Sequence, residues 1–222
     1  MSNKNPDEGV IITAQYGIDE LMGRLRRVTL LNEVIPGFYP YLPSKVSIEE
    51  LSPDDLWPCA LYVLNENLEN QKRLRAVLLT QGIDTLHLTE SACLVDFQLG
   101  DSELTISPPI VEVSEDDGGK KVATDGLHRI TIAKEINEAS IAVALIQNIA
   151  APLPALPVDW EEVKRVDKVP PNQTKRKFRF RSTNEVLDWP NQSDRNRQRF
   201  LSGFAEQPNP LAHLGLMHTY KP

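Results

Sequence analysis

A chain of 222 residues is long enough for one sizeable domain with extensions, or for two small ones. With 41% hydrophobic and 25% charged residues it has a globular composition, and no apolar run approaches the ~20 residues that a helical bilayer span needs. The net charge of −7 argues against non-specific DNA binding, which depends on neutralising phosphates, but it hides an asymmetry: 12 Lys/Arg stand against 24 Asp/Glu through Asp159, then 12 against 7.

Residues 1–9 are polar and lack the basic start and apolar stretch of a secretory signal, so a disordered tail on a cytoplasmic protein is expected. Cys59 and Cys93 belong to no CxxC or Cys/His cluster, which gives no indication of structural zinc. Two reduced, buried thiols are expected, with a disulfide between them as the alternative. Ile18–Leu25 has the pattern of a short helix with Asp19 near its start, and residues 28–31 that of a strand. The aromatic, turn-rich stretch 36–43 reads as a packed loop, a lid being the alternative.

Lys45–Leu51 is expected to be a strand, and Ser52-Pro53-Asp54-Asp55 has the residues of a helix start, with Ser52 capping and Pro53 in the first helical position. Residues 67–81 carry Leu68, Leu74, Val77 and Leu78 at helical spacing, stopped by Gly82. Within 83–107, the stretches Leu86-His87-Leu88, Cys93 to Phe97, and Leu104 to Ile106 alternate as short strands. They predict an inserted β-hairpin that either shapes a pocket or extends the sheet.

Residues 108–113 read Pro-Pro-Ile-Val-Glu-Val, followed by an Asp116-Asp117-Gly118-Gly119 turn. Residues 122–135 then give the end of a strand, an Asp125-Gly126 turn and a helix. Asp125 is placed to cap that helix, and Gly126 suits the turn. Ile130, Ala133 and Ile136 define its buried face, with Thr131, Lys134 and Glu135 outward. The first helical turn holds His128 and Arg129, the wrong sign for the positive end of a helix. Free N–H groups, a guanidinium and an imidazole at one point make an anion site, most simply for phosphate. The alternative is a half-buried His128 and an Arg129 paired with a nearby carboxylate.

The Pro-Ile-Val strand, short hairpin, Asp-Gly-Leu-His-Arg turn (residues 125–129) and following helix resemble the ParB/sulfiredoxin superfamily, most clearly over residues 104–147. The resemblance implies an α+β fold: a mixed sheet whose central helix follows the DGxHR turn. It also implies that Thr124, Gly126, Leu127, His128 and Arg129 hold nucleotide phosphates. In the branch that phosphorylates free serine, a Pro-His-Glu segment supplies the catalytic base where this chain has Pro53-Asp54-Asp55, which assigns that role to Asp55. Sulfiredoxins carry a reactive cysteine at the position of Leu127, and leucine cannot attack sulfur.

Ser140 to Ile146 is nearly continuous in apolar residues, as a strand covered on both faces requires. The prolines of 151–157 mark the end of the core, and 160–166 are expected to form one or two helical turns. Lys175 to Arg181 alternates cation with aromatic, the period of a strand with Phe178 and Phe180 on one face. Arg195, Arg197 and Arg199 follow. These cations suit pairing with the acidic part of the chain, gathering polyphosphate over His128 and Arg129, or contacting nucleic acid through Lys175, Arg176, Lys177, Arg179 and Arg181.

The expected organisation is an N-terminal extension (1–44), a core (45–155) and a basic C-terminal extension (156–222). The leading functional expectation is binding of ATP or ADP with Mg²⁺. The protein would then act as a small-molecule phosphotransferase or nucleotide hydrolase, using Asp55 as base, Asp125 to orient metal or water, and His128 beside the phosphates. The alternatives are a DNA-associated ParB-like switch or nuclease, and a non-catalytic interaction module. No membrane partner is expected.

Overall fold

The computed structural model describes residues 10–204 except 30–34, 36 and 172, and the side chain of Thr183 is likewise left undescribed. The tail expected at 1–9 and the second half of the strand expected at 28–31 lie outside the described residues. Val28 and Thr29 themselves form no strand.

Five strands make the principal sheet: β2 (Lys45–Leu51), β3 (Leu56–Pro58), β7 (Ile110–Ser114), β8 (Lys120–Ala123) and β9 (Ile141–Gln147), in the order β2-β9-β7-β8-β3. β2 runs antiparallel to β9, β9 parallel to β7, β7 antiparallel to β8, and β8 parallel to β3. The helix α3 (Leu127–Glu135) lies on one face of this sheet. Ile130 and Ala133 pack there against Val111, Ile141, Val143 and Leu145. The other face of β9 sends Ala144 and Ile146 towards Leu21 and Leu25 of α1 (Ile18–Leu25). The unbroken apolar sequence of β9 therefore reflects cover on both sides.

A three-stranded antiparallel sheet joins β1 (Val10–Tyr16) to the hairpin β5 (Leu94–Leu99) and β6 (Ser102–Ile106). The insertion thus exists as a hairpin, but it pairs with the N-terminal strand and leaves the principal sheet unextended. It packs through Val95, Phe97 and Ile106 on Leu78 and Leu74 of α2 (Asn65–Thr80). At the end of α2 the Gly82 and Ile83 N–H groups donate to Leu79 and Leu78 carbonyls, at 3.0 Å each, closing the helix where the sequence places its stop. Leu86-His87-Leu88 is not a strand. Its leucines are core anchors for two different clusters, and the Leu86 carbonyl accepts from Ala142 N–H at 2.7 Å.

The packed-loop reading of the aromatic stretch holds at Phe38, which is fully buried. Its ring stacks on Phe200 of α5 (Asp194–Ser202), with centroids 4.9 Å apart. Between the sheet and α5, residues 160–166 form one 3₁₀ turn (Trp160–Glu162) and β10 (Lys164–Val166), which pairs parallel with β4 (Tyr62–Leu64). A short helix α4 (Thr183–Asp188) precedes α5.

The strand expected at 175–181 does not form. Only Phe178 makes a bridge, to Ala155, and the two phenylalanines part company: Phe178 is exposed while Phe180 packs near Trp189 and Phe200. The segment is shaped by its anchors. Lys177 pairs with Glu162, and Arg179 with Asp117 while also donating to the Leu153 carbonyl at 3.0 Å. The segment's backbone pairing at that bridge is confined to the two bonds flanking it, Leu156 N–H to the Lys177 carbonyl and Arg179 N–H to the Pro154 carbonyl.

Candidate functional site

Site geometry begins with Gly126. Its φ of +82° is in the left-handed region, and a Cβ there would sit 2.7 Å from Pro109 Cα and Cβ. Glycine is therefore demanded twice, by the turn and by the close approach of β7's leading proline. Thr124 and Asp125 N–H groups both donate to the Ile110 carbonyl, at 2.9 and 3.4 Å, so the loop is bound to the same strand.

Asp125 does not cap α3. The helix begins at Gly126 with no side-chain cap, and the first intrahelical bond runs from Ile130 N–H to the Gly126 carbonyl. The N–H groups of Leu127, His128 and Arg129 consequently meet no capping side chain among the described residues. The Asp125 carboxylate turns instead to Arg129, Nη2 to Oδ2 being 3.5 Å, and remains 70% exposed. Their i,i+4 spacing makes the contact natural on one helix face.

Arg129 is buried, and its contact with Asp125 is the carboxylate pairing that the sequence offers as the alternative to a phosphate site. It is 6% exposed and its Nη1 donates to the Ser107 carbonyl. Burial works against its charge and Asp125 supports it. Thr131, expected outward, is also buried and donates to the Leu127 carbonyl at 2.8 Å, whereas Ile136, expected inward, is 45% exposed. The helix is rotated relative to the sequence reading because its neighbours on both sides are apolar: the principal sheet, and Val63 with Leu68 against Ile132.

His128 is half-buried, and its Nε2 accepts from the Leu64 N–H at 3.4 Å. That contact requires an unprotonated Nε2 and places the ring proton on Nδ1. Burial, and after it the Lys175 charge, hold the imidazole below its ordinary range, with Asp125 opposing.

These residues form one end of a cavity of about 260 Å³. Asp125, Gly126, His128 and Arg129 make its polar end, and Gln71 and Leu74 of α2 face Phe97, Leu104 and Thr105 of the hairpin across it. A second cavity of about 430 Å³ shares Gln71, Leu74, Phe97 and Leu104 and continues between α2 and the hairpin past Val77 and Leu99. A polar helix start therefore opens into an apolar groove, and the hairpin builds one of its walls.

Asp55 is not part of this constellation. It lies exposed on the 3₁₀ turn Pro53–Asp55, whose Asp54 pairs with Lys134 near the far end of α3. At 1.5 Å rise per residue, Lys134 is about 10 Å along the helix from its first turn. The groove residues of α2 and the hairpin were not legible as site residues.

Behind the loop, Glu112 of β7 is 1% exposed and accepts a hydrogen bond from Tyr41. Tyr41 also meets the Thr124 side chain. Burial raises the Glu112 carboxyl to about 7, the Tyr41 hydrogen bond opposing the shift.

Sheet order and the glycine turn from β8 into α3 make this an α+β domain with a mixed five-stranded sheet. The family model of the ParB CE domain matches residues 20–164, about two thirds of the chain, and the protein belongs to that family. No curated protein and no solved structure matches it.

Proposed function

We propose that this ParB-family protein binds a nucleotide, ATP or ADP, with its phosphates on the first turn of α3 and its nucleoside in the groove between α2 and the hairpin. One observation carries the reading: Gly126, His128 and Arg129 of the uncapped helix start line a polar cavity that shares Gln71, Leu74, Phe97 and Leu104 with a more apolar one. Arg129 supports the phosphate end as a fixed, buried charge.

Mg²⁺ fits this arrangement through Asp125, an exposed carboxylate at the cavity's mouth, with phosphate oxygens as its other ligands. The ion would neutralise charge on the phosphates. Among the described residues no group of three or more His, Cys, Asp or Glu side chains is placed to hold a metal, so the ligand itself would complete the site.

Phosphoryl transfer to a small acceptor, or nucleotide hydrolysis, remains the reaction class proposed. The acceptor's base is not Asp55 in this arrangement, because Asp55 flanks the other end of α3. His128 is nearer, but with its Nε2 lone pair accepting from Leu64 N–H it offers Nδ1–H as a donor to a phosphate oxygen and is not a free base. The nucleic-acid alternative loses support from Lys177 and Arg179, whose charges are committed to Glu162 and Asp117.

The test is a thermal-shift titration with ATP, ADP, CTP and GTP, with and without Mg²⁺, on the full chain and on Leu104→Asp. Leu104 is 43% exposed, so the change is tolerated by the fold while placing a carboxylate in the groove. A concentration-dependent rise in melting temperature, lost in Leu104→Asp, is expected. No shift with any nucleotide refutes the reading. A response confined to CTP, together with salt-sensitive duplex binding, favours the partition-like alternative.

A further inference from the structure

We infer that Lys175, which lies beyond the family match, is a further phosphate-binding residue of the α3 site, delivered to it by a C-terminal strap. The inference rests on the nucleotide reading above and adds a residue to it. β4 and the residue before it tie the two parts together. Leu61 N–H donates to the Lys175 carbonyl at 2.8 Å, and Leu64 N–H donates to His128 Nε2 at 3.4 Å. Lys175 and His128 are thus bound to backbone positions only three residues apart on an extended stretch, about 10 Å. A lysine side chain reaches across most of that interval. Its charge, after burial, works to lower the pKa of the His128 imidazole.

The strap is fixed on both sides of Lys175, by the Gln173 side chain before it and by the main chain after it. Gln173 accepts from the Tyr62 hydroxyl, the Lys177 carbonyl accepts from Leu156 N–H at 2.8 Å, and Arg179 N–H donates to the Pro154 carbonyl at 2.7 Å. The side chains are used differently. Lys177 and Arg179 are neutralised by Glu162 and Asp117, whereas Lys175 is exposed and pairs with no carboxylate among the described residues.

Around the first turn of α3 the described residues then place a buried guanidinium, an ammonium paired with no carboxylate and uncapped N–H groups, with Asp125 as the carboxylate in contact with Arg129. That excess of positive potential opposes the helix's own dipole requirement. A chain of phosphates removes the conflict: its inner oxygens meet the N–H groups and its outer ones meet the Lys175 ammonium. A terminal phosphate, carrying the most charge, gains most from a mobile cation of this kind.

The experiment is calorimetric titration of the full chain with ATP and with inorganic tripolyphosphate, comparing wild type, Lys175→Gln, Lys175→Arg and Lys177→Gln. Lys175→Gln should weaken both ligands about tenfold, Lys175→Arg should restore most of the affinity, and Lys177→Gln should change it less than about twofold. The ligand-free melting temperature should be unchanged in Lys175→Gln, because its ammonium pairs with no carboxylate among the described residues. If wild type binds ATP and Lys175→Gln binds it equally well, Lys175 is excluded while the nucleotide reading stands. Equal losses in Lys175→Gln and Lys177→Gln overturn the inference in favour of a diffuse field. If wild type binds neither ligand, the nucleotide reading itself falls and Lys175 falls with it.

Discussion

Glu112 is the residue with the most costly surroundings. A carboxyl on a central strand, 1% exposed and bonded to a tyrosine hydroxyl, keeps its proton to about pH 7 instead of losing it near 4.5. Between those values the folded chain binds more protons than the unfolded one, so stability falls as pH rises. The contribution is fully present below about 4.5 and is lost as pH passes through about 7. Its size is on the order of 3 kcal/mol. Melting temperature measured against pH should therefore fall across this window in wild type and stay flatter in Glu112→Gln, which is neutral at every pH. Equal slopes would mean that Glu112 ionises freely. Gly126 makes the complementary prediction about shape. Gly126→Ala combines an unfavourable positive φ with a Cβ only 2.7 Å from Pro109, and should cost about 2–4 kcal/mol in urea unfolding. The two positions differed in legibility. The turn glycine could be read from Asp-Gly before an apolar helix, whereas the lone glutamate in Ile-Val-Glu-Val gives no sign that a tyrosine seventy residues earlier will meet it.

At the scale of elements, the hydrophobic period located α1 and β2 but misled at Leu86-His87-Leu88, which alternates without forming a strand, and the cationic alternation formed none either. α1 and β2 fall on the residues where their patterns end, because each is bounded by a residue that breaks the period. The 175–181 segment has an equally clear alternation, but only a single bridge at Phe178 forms, while Lys177 and Arg179 send their side chains to Glu162 and Asp117. Similar ion pairs position α5. Arg199, 15% exposed, meets Asp116 at 3.1 Å and the Ile149 carbonyl at 3.2 Å, while Arg195, 70% exposed, meets Glu115 in solvent. Arg199→Ala should lower stability by about 1–3 kcal/mol, and Arg195→Ala by less than about 0.5. Denaturant melts of both variants check the contrast, and equal effects would show that burial does not govern these pairs. The groove was illegible for a different reason. Its walls come from a helix and from a hairpin whose pairing partner, β1, lies some eighty residues earlier, so no local stretch contains the site.

Over the whole molecule, the uneven charge of the sequence becomes a docking force. Through Asp159 the chain has twice as many acids as bases, and beyond it bases predominate. In the fold, the acidic turn between β7 and β8 receives Arg179, Arg195 and Arg199 from the C-terminal part. This attraction orients a contact whose larger energy is apolar: Phe38, Trp189 and Phe200 are buried together, and Gly203 lets α5 end against the Phe38 ring, where a Cβ would come within 2.4 Å. The two contributions separate by their response to salt. Raising ionic strength from ~0.01 to ~0.15 M shortens the Debye length from about 30 to about 8 Å and weakens exposed pairs, but leaves apolar burial nearly untouched. Melting temperature should therefore fall only slightly over that range. Phe200→Ala, by contrast, should cost about 3–5 kcal/mol at either salt concentration and detach α5, visible as dye binding to the uncovered Phe38 and Ala150 surface. A large salt-dependent loss in wild type, with a small effect of Phe200→Ala, would reverse that order and make the C-terminal part an electrostatically held arm. The distinction bears directly on Lys175, because only an arm anchored by packing can hold its ammonium at the start of α3 under the ionic conditions in which a phosphate ligand competes with salt.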